Sequence, residues 1–196
     1  EADLLMKIKI DLEESINLMD DLYRNAERIY PNRKTAELIL ANVLMTQHEW
    51  SAAENLLKGI VQSLLYEWQP DLSKTFKMSG KHILWQLKPL KAGNATSESQ
   101  LYYFTTSLPT TYSLSNDLIA VYSPNDLRKQ LWIKELIINQ KSYYRADKYR
   151  NTVGNTDEYS IVFRLEEAYL LLAESLVQQN KLSAALPYLN AIKQKA

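Results

Sequence analysis

The chain has 196 residues, 46% of them hydrophobic, with 23 basic and 23 acidic side chains, a formal net charge of zero and no cysteine. That length gives room for one domain with a core of its own, and the balanced charge leaves no electrostatic footprint for nucleic acid or an anionic membrane. Disulfides and thiolate metal sites are excluded, and with His48 and His82 as the two histidines an imidazole-rich metal site is nearly excluded too.

Leu5, Ile8, Leu12, Ile16, Met19 and Tyr23 recur at helical spacing and predict a helix from Leu4 to Tyr23, with Asp11, Glu13, Glu14, Asp20 and Asp21 mostly off its apolar face. Tyr30-Pro31-Asn32 ends it, because proline lacks the amide and pushes its predecessor out of helical geometry. A second helix spans Arg33 to Met45 with Ala36, Ile39, Leu40, Val43 and Leu44 inward. Ser51-x-x-Glu54 reads as a capping box that opens a third helix running through Ala53, Leu57, Ile60, Val61 and Leu64.

Ile83 to Leu87 reads as a short strand between Gly80 and Pro89. Residues 91 to 116 are rich in Gly, Asn, Ser, Thr and Pro, which predicts a loop, with Tyr102-Tyr103-Phe104 embedded in it. Near the C-terminus Leu165, Ala168, Tyr169, Leu172 and Leu176 fall on one helical face. After a break at Asn180-Lys181, Leu182, Ala185, Leu186, Leu189 and Ile192 do the same. So short a connection makes an antiparallel helical hairpin. Pro187 removes a bond to the Ser183 carbonyl, so that helix should start near Ser183 or be locally irregular.

The fold class expected is mainly all-α: tetratricopeptide-like helical hairpins in an α-α superhelix, at about 1–66 and 158–196. An irregular, loop-rich insertion with short strands lies between them, at about 67–157.

No catalytic or metal-binding set emerges. The adjacent carboxylates Glu13-Glu14, Asp20-Asp21 and Glu166-Glu167 point about 100° apart on a helix and cannot share a substrate bond; they read as solvated or helix-terminal charges. His48-Glu49-Trp50 lacks the second histidine of a zinc-protease helix, and no phosphate loop or nucleophile elbow is present. Asp126-x-Arg128 reads as a structural ion pair, and Trp50, Trp68, Trp85 and Tyr169 as core residues on helices or strands. Tyr102, Tyr103, Phe104 and Tyr112 resist that reading. Aromatic rings on a loop either stack on the apolar face of a sugar or pin the loop down, and both readings stand.

The C-terminal hairpin also carries a resemblance. Arg164-Leu165-x-Glu167-Ala168-Tyr169-Leu170-x-Leu172-Ala173-Glu174-Ser175, then Ala185 and Leu189-Asn190-x-Ile192-Lys193-x-Lys195-Ala196, resembles the SusD/RagB signature, R-x-x-E-x-Y-L-x-x-A-E-A followed by A-x-x-x-L-N-x-I-R-x-R-A. Lys193 and Lys195 stand in place of arginine, which keeps the charge but loses planar bidentate pairing. Arg33, Leu40, Ala41, Val43, Trp50, Ala53 and Tyr66 resemble the family's earlier helical repeat. Leu114-Ser115, Asp126-x-Arg128, Trp132 and Lys148-Tyr149 follow its later landmarks in order.

The resemblance implies a non-catalytic, surface-exposed lipoprotein of the Bacteroidota outer membrane. Such a protein binds an oligosaccharide or peptide and passes it to a SusC-like TonB-dependent transporter. It implies no cofactor, no metal and no nucleic acid; the family's ligand residues lie on variable loops that do not align here, so Tyr102, Tyr103, Phe104 and Tyr112 are candidate ligand contacts from their place on the loop alone. It also implies that the chain is an internal piece of a longer protein, its signal and lipid-bearing cysteine upstream of Glu1. The alternatives are a helical-repeat scaffold for protein partners and a helical carbohydrate-active enzyme.

Overall fold

The computed structural model describes residues 2–195. Ala196, the last position of the C-terminal motif, lies outside the described residues, as does Glu1. The chain divides into two compact units: residues 2–68, Lys81–Gln86 and Ile161–Gln194 form the first, and Gln69–Gly80 with Leu87–Ser160 the second.

The first unit is built from five helices: α1 (Ala2–Leu18), α2 (Arg33–Thr46), α3 (Trp50–Val61), α7 (Leu165–Gln178) and α8 (Leu182–Lys193). Each packs on the next in that order, so the α2–α3 hairpin is followed in space by the α7–α8 hairpin although about a hundred residues separate them in sequence. This is the tetratricopeptide-like arrangement. Strand β1 (Ile83–Leu87) hydrogen-bonds to β6 (Ser160–Arg164), and Leu84 of β1 joins the helical core. Leu38, Leu57, Ile60, Leu172 and Leu176 are fully buried there.

Several helix boundaries differ from expectation. α1 stops at Leu18 rather than Tyr23, and the carbonyls just past its end bond to the start of α2. Arg33 Nε donates to the Met19 carbonyl at 2.8 Å, the Arg33 amide to Asp20 O at 3.0 Å, and Asn32 Nδ2 to Asp21 O at 2.7 Å. Ser51 and Glu54 form no capping box: α3 begins at Trp50 with Glu49 as an N-cap whose side chain makes no capping bond. The box is one helix earlier, at α2, where Asn32 Oδ1 accepts from the Thr35 amide at 3.1 Å and the Thr35 hydroxyl takes the Asn32 amide in return. Leu64 lies past the end of α3 and is 98% exposed. On α8, Ala185 is buried, but Leu182, Leu186 and Leu189 are about half exposed rather than inward. Pro187 sits inside α8, which begins at Leu182. Trp68 lies outside any helix or strand and packs edge-on against Tyr169 at 4.5 Å.

A polar network that the sequence did not suggest ties the start of this unit to β1. Arg28, in the left-handed region at φ 55°, sends its guanidinium to the carbonyls of Lys81, Ile83 and Leu65 at 2.8, 2.6 and 3.0 Å. The same group lies over the rings of Tyr23 and Tyr66. Those two phenols are 2.9 Å apart, and burial pushes both of their pKa values up.

The second unit holds a one-turn 3-10 segment (Leu72–Lys74), β2 (Gly93–Asn94), α4 (Ser97–Tyr102), α5 (Asn116–Ala120), α6 (Leu127–Trp132), β3 (Ile133–Ile138), β4 (Lys141–Ala146) and β5 (Val153–Asn155). Residues 91–116 are therefore not all loop: Thr96 caps α4 by accepting from the Ser99 amide at 3.1 Å. β3 and β4 form an antiparallel hairpin in which Ile133 faces Ala146 and Ile138 faces Lys141, closed by Asn139 and Gln140 in the left-handed region. Phe76, Trp132 and Tyr149 make its aromatic centre, with ring centroids 5.2 and 5.3 Å from Phe76. Asp126 caps α6 and grips Arg128 with both carboxylate oxygens, at 3.0 and 2.7 Å, which is the structural ion pair expected. Among the described residues no helix is long and apolar enough to cross a membrane.

Candidate ligand-binding surface

The four candidate aromatic residues separate into two pairs, all within the second unit. Tyr102 ends α4 and is 36% exposed; Tyr112 is 56% exposed, and the two ring centroids lie 5.9 Å apart at 45°. Tyr103 and Phe104 turn instead to Arg145. Its guanidinium carbon lies 3.9 Å from the Tyr103 ring centroid, and its Nη1 donates to the Phe104 carbonyl. Arg145 is buried and ion-paired with Asp147, so this contact anchors the segment. A guanidinium stacked on one ring and bonded to the next carbonyl fixes the chain there, which leaves Tyr102 free to face solvent beside Tyr112.

Two clefts of about 250 Å³ each, missed by sequence reasoning, share Lys88 and Pro89. One is lined by Leu87, Leu90, Asn94, Thr96, Ser97 and Ser160, and the other by Lys91, Gly93, Asn155, Thr156 and Tyr159. The β2–β5 pairing brings these stretches together: Gly93 faces Asn155 and Asn94 faces Val153 across a bulge. That bulge needs Gly93 and Gly154 at φ 80° and 61°, a region side chains other than glycine rarely adopt. Asn155 locks the turn, donating to Asn94 O and Glu158 O at 2.9 and 2.7 Å. The Lys88 ammonium lies 5.6 Å from the centre of the Tyr159 ring, and Ser160 Oγ donates to Glu98 at 2.6 Å. Ser97 lines the first cleft and Tyr102 ends the same helix five residues on, roughly 8 Å along its axis at ~1.5 Å per residue. The ring pair and the polar cleft are therefore close along the chain, although the Ser97 and Tyr102 side chains point roughly 140° apart around the helix.

The carboxylate pairs belong to the first unit. Glu13 and Glu14 are exposed on α1, and Glu166 and Glu167 sit in the first turn of α7, where burial pushes the Glu167 carboxyl up. Among the described residues no group of three His, Asp or Glu side chains could hold a metal ion.

No protein-family model matches the chain, and no curated protein matches it. Solved structures do. A surface glycan-binding protein A from Bacteroides thetaiotaomicron, solved in complex with laminarihexaose, superposes with a TM-score of 0.77 at 18% identity, over 98% of this chain and 54% of that one. The chain has the SusD-like fold. A SusD superfamily protein from Bacteroides vulgatus gives a TM-score of 0.76 at 20% identity, over 99% and 46% of the two chains. A SusD-like carbohydrate binding protein from the same species gives 0.74 at 17%, over 98% and 43%. The chain thus spans about half the length of these SusD-like structures. The motif resemblance is met at the level of the fold.

Proposed function

We propose that the chain belongs to a non-catalytic SusD/RagB-family glycan-binding protein of the outer-membrane surface, one that delivers oligosaccharides to a SusC-like TonB-dependent transporter. The observation that carries this reading is the exposed Tyr102–Tyr112 pair, in a unit that also holds a hydroxyl- and amide-lined cleft, on a fold shared with a protein solved in complex with laminarihexaose. A fold does not by itself give a function, so the site must. Rings present an apolar face to sugar C–H groups, while Asn94, Thr96 and Ser97 offer donors and acceptors to hydroxyls. The bond-making groups of a hydrolase are not needed for this task, because capture requires complementarity alone. Shallow stacking supports weak affinity.

Calorimetry of the chain against a panel of oligosaccharides that includes laminarihexaose tests the reading. Binding that weakens severalfold in a Tyr102→Ala, Tyr112→Ala double variant supports it. A panel with no binder would sink it in favour of a helical-repeat scaffold for protein partners, which the half-exposed leucines of α8, Leu182, Leu186 and Leu189, favour.

A further inference from the structure

Both ends of the segment that carries the ring pair are held by neighbouring residues of β4. Upstream, the Arg145 guanidinium stacks on Tyr103 and donates to the Phe104 carbonyl, just past Tyr102. Downstream, the Leu114 amide donates to the Tyr144 carbonyl at 2.7 Å, just past Tyr112, in an isolated antiparallel bridge. From this double hold we infer that Arg145 and the Leu114–Tyr144 bond are the positioning elements of the Tyr102–Tyr112 surface. β4 draws the two ends of 103–114 together and so sets the ring spacing that a sugar would meet. The inference rests on the glycan reading above and deepens it.

The segment between the rings does not hold itself. Residues 105–113 form neither helix nor strand, and all but Pro109 are exposed. Exposed side chains add little packing, and the contact of two exposed rings is weak beside the conformational entropy of ordering the residues between them. β4, by contrast, is fixed. Its pairing with β3 sets Glu135 opposite Tyr144 and Lys134 opposite Arg145. Arg145 is buried and donates through Nε to Asp147 at 2.9 Å; Asp147 also pairs with Arg150 at 3.0 Å, and its amide donates to the Trp132 carbonyl at 2.7 Å. One planar guanidinium serves carboxylate, carbonyl and ring together, which a lysine ammonium cannot do. Tyr102 is set from the helix side as well, because the Ser99 hydroxyl ties α4 to the Asn151 carbonyl at 3.1 Å. Tyr112 has no helix behind it, so the bond at Leu114 matters most for the ring spacing.

The chain has no cysteine, so a Tyr102→Cys, Tyr112→Cys pair reports its own separation through cross-linking by a short bismaleimide, with no ligand present. Added to that pair, Leu114→Pro removes the amide donor and should slow cross-linking severalfold. Arg145→Lys should slow it by less. A Gly-Gly insertion between Leu108 and Pro109 should leave it unchanged, because a longer loop closes almost as readily when its ends are held. With both tyrosines in place, calorimetry with laminarihexaose should rank the same variants in the same order, melting curves showing each to be folded. Leu114→Pro leaves the buried Arg145–Asp147 pair intact and carries the test if Arg145→Lys does not melt cooperatively. The inference is overturned if neither variant slows cross-linking, if the insertion slows it as much as Leu114→Pro, or if laminarihexaose binding ignores variants that cross-link slowly. If cross-linking follows the expected order and no oligosaccharide binds, the positioning role stands and the glycan reading alone falls.

Discussion

Glu54 on α3 and Lys181 at the head of α8 meet at 2.7 Å across 127 positions of sequence. The same carboxylate takes Lys58 at 2.6 Å and Gln179 at 2.8 Å, although Glu54 is only 5% exposed. Hydrogen bonds from Lys181 first, then Lys58, hold its pKa down at about 2, from an ordinary value of 4.5. The α2–α3 and α7–α8 hairpins are thus joined by a buried charge satisfied from three sides, as well as by apolar packing.

A depressed carboxylate contributes stability that is present above its unfolded pKa and is lost as pH falls through the folded one. Here that window runs from about pH 5 down to about pH 2. Glu54→Gln should destabilise the chain at pH 7 and by progressively less as the pH is lowered through this window. Urea midpoints of both proteins at several pH values check it, and a gap independent of pH would show that Glu54 is not ionised in the fold.

Leu172 is fully buried on the inward face of α7. Leu172→Ala should cost about 2–5 kcal/mol, the lost transfer energy plus the cavity left behind. Leu170, 43% exposed on the same helix, is the control: its truncation should cost under about 1 kcal/mol. Equal denaturation midpoints for the two variants would contradict the assigned face.

Arg28 is the least expected of the structural residues. A lysine in its place keeps the charge but cannot reach three carbonyls and cover two rings with one planar group. Arg28→Lys should therefore cost about 1–3 kcal/mol, the scale for bonds to a charged group, measured by urea unfolding. No change would mean that the carbonyls find water as readily.

The difference between what sequence reveals and what it conceals follows from how local each cause is. The faces of α2, α3 and α7 were legible because apolar spacing is a property of neighbouring residues, and Leu172 and Leu57 are buried as that spacing requires. Tyr23 and Leu64 continued the same spacing past the helix ends, where the chain bonds to the start of α2 in one case and turns after Val61 in the other. Ser51-x-x-Glu54 had the form of a cap, yet Glu54 is claimed by residues more than a hundred positions away. The cap at Asn32 escaped notice because Thr35 supplies the return bond in place of Glu or Gln. The clefts were illegible for a similar reason: residues 87–97 and 155–160 meet through a strand pair of two and three residues, too short to carry a pattern. Loop composition did flag the aromatics, but not which of them Arg145 would hold.

That division among the aromatics gives the last prediction. Tyr102→Ala and Tyr112→Ala should leave the melting temperature nearly unchanged, because both rings are exposed, and should each weaken oligosaccharide binding roughly two- to tenfold, the scale of one aromatic contact. Their effects should not add: the rings lie 5.9 Å apart, so removing one already spoils the surface the other helps to make. Tyr103→Ala should do the reverse. It strips the Arg145 guanidinium of its ring partner at 3.9 Å and should cost about 1–2 kcal/mol of stability, with binding lost only in proportion to the fraction unfolded. Melting curves and calorimetry on the three single variants and on the Tyr102→Ala, Tyr112→Ala pair decide it. If Tyr103→Ala abolishes binding in a fully folded protein while Tyr102→Ala does not, the stacking surface is built on the anchored ring, and the exposed pair is ordinary protein surface.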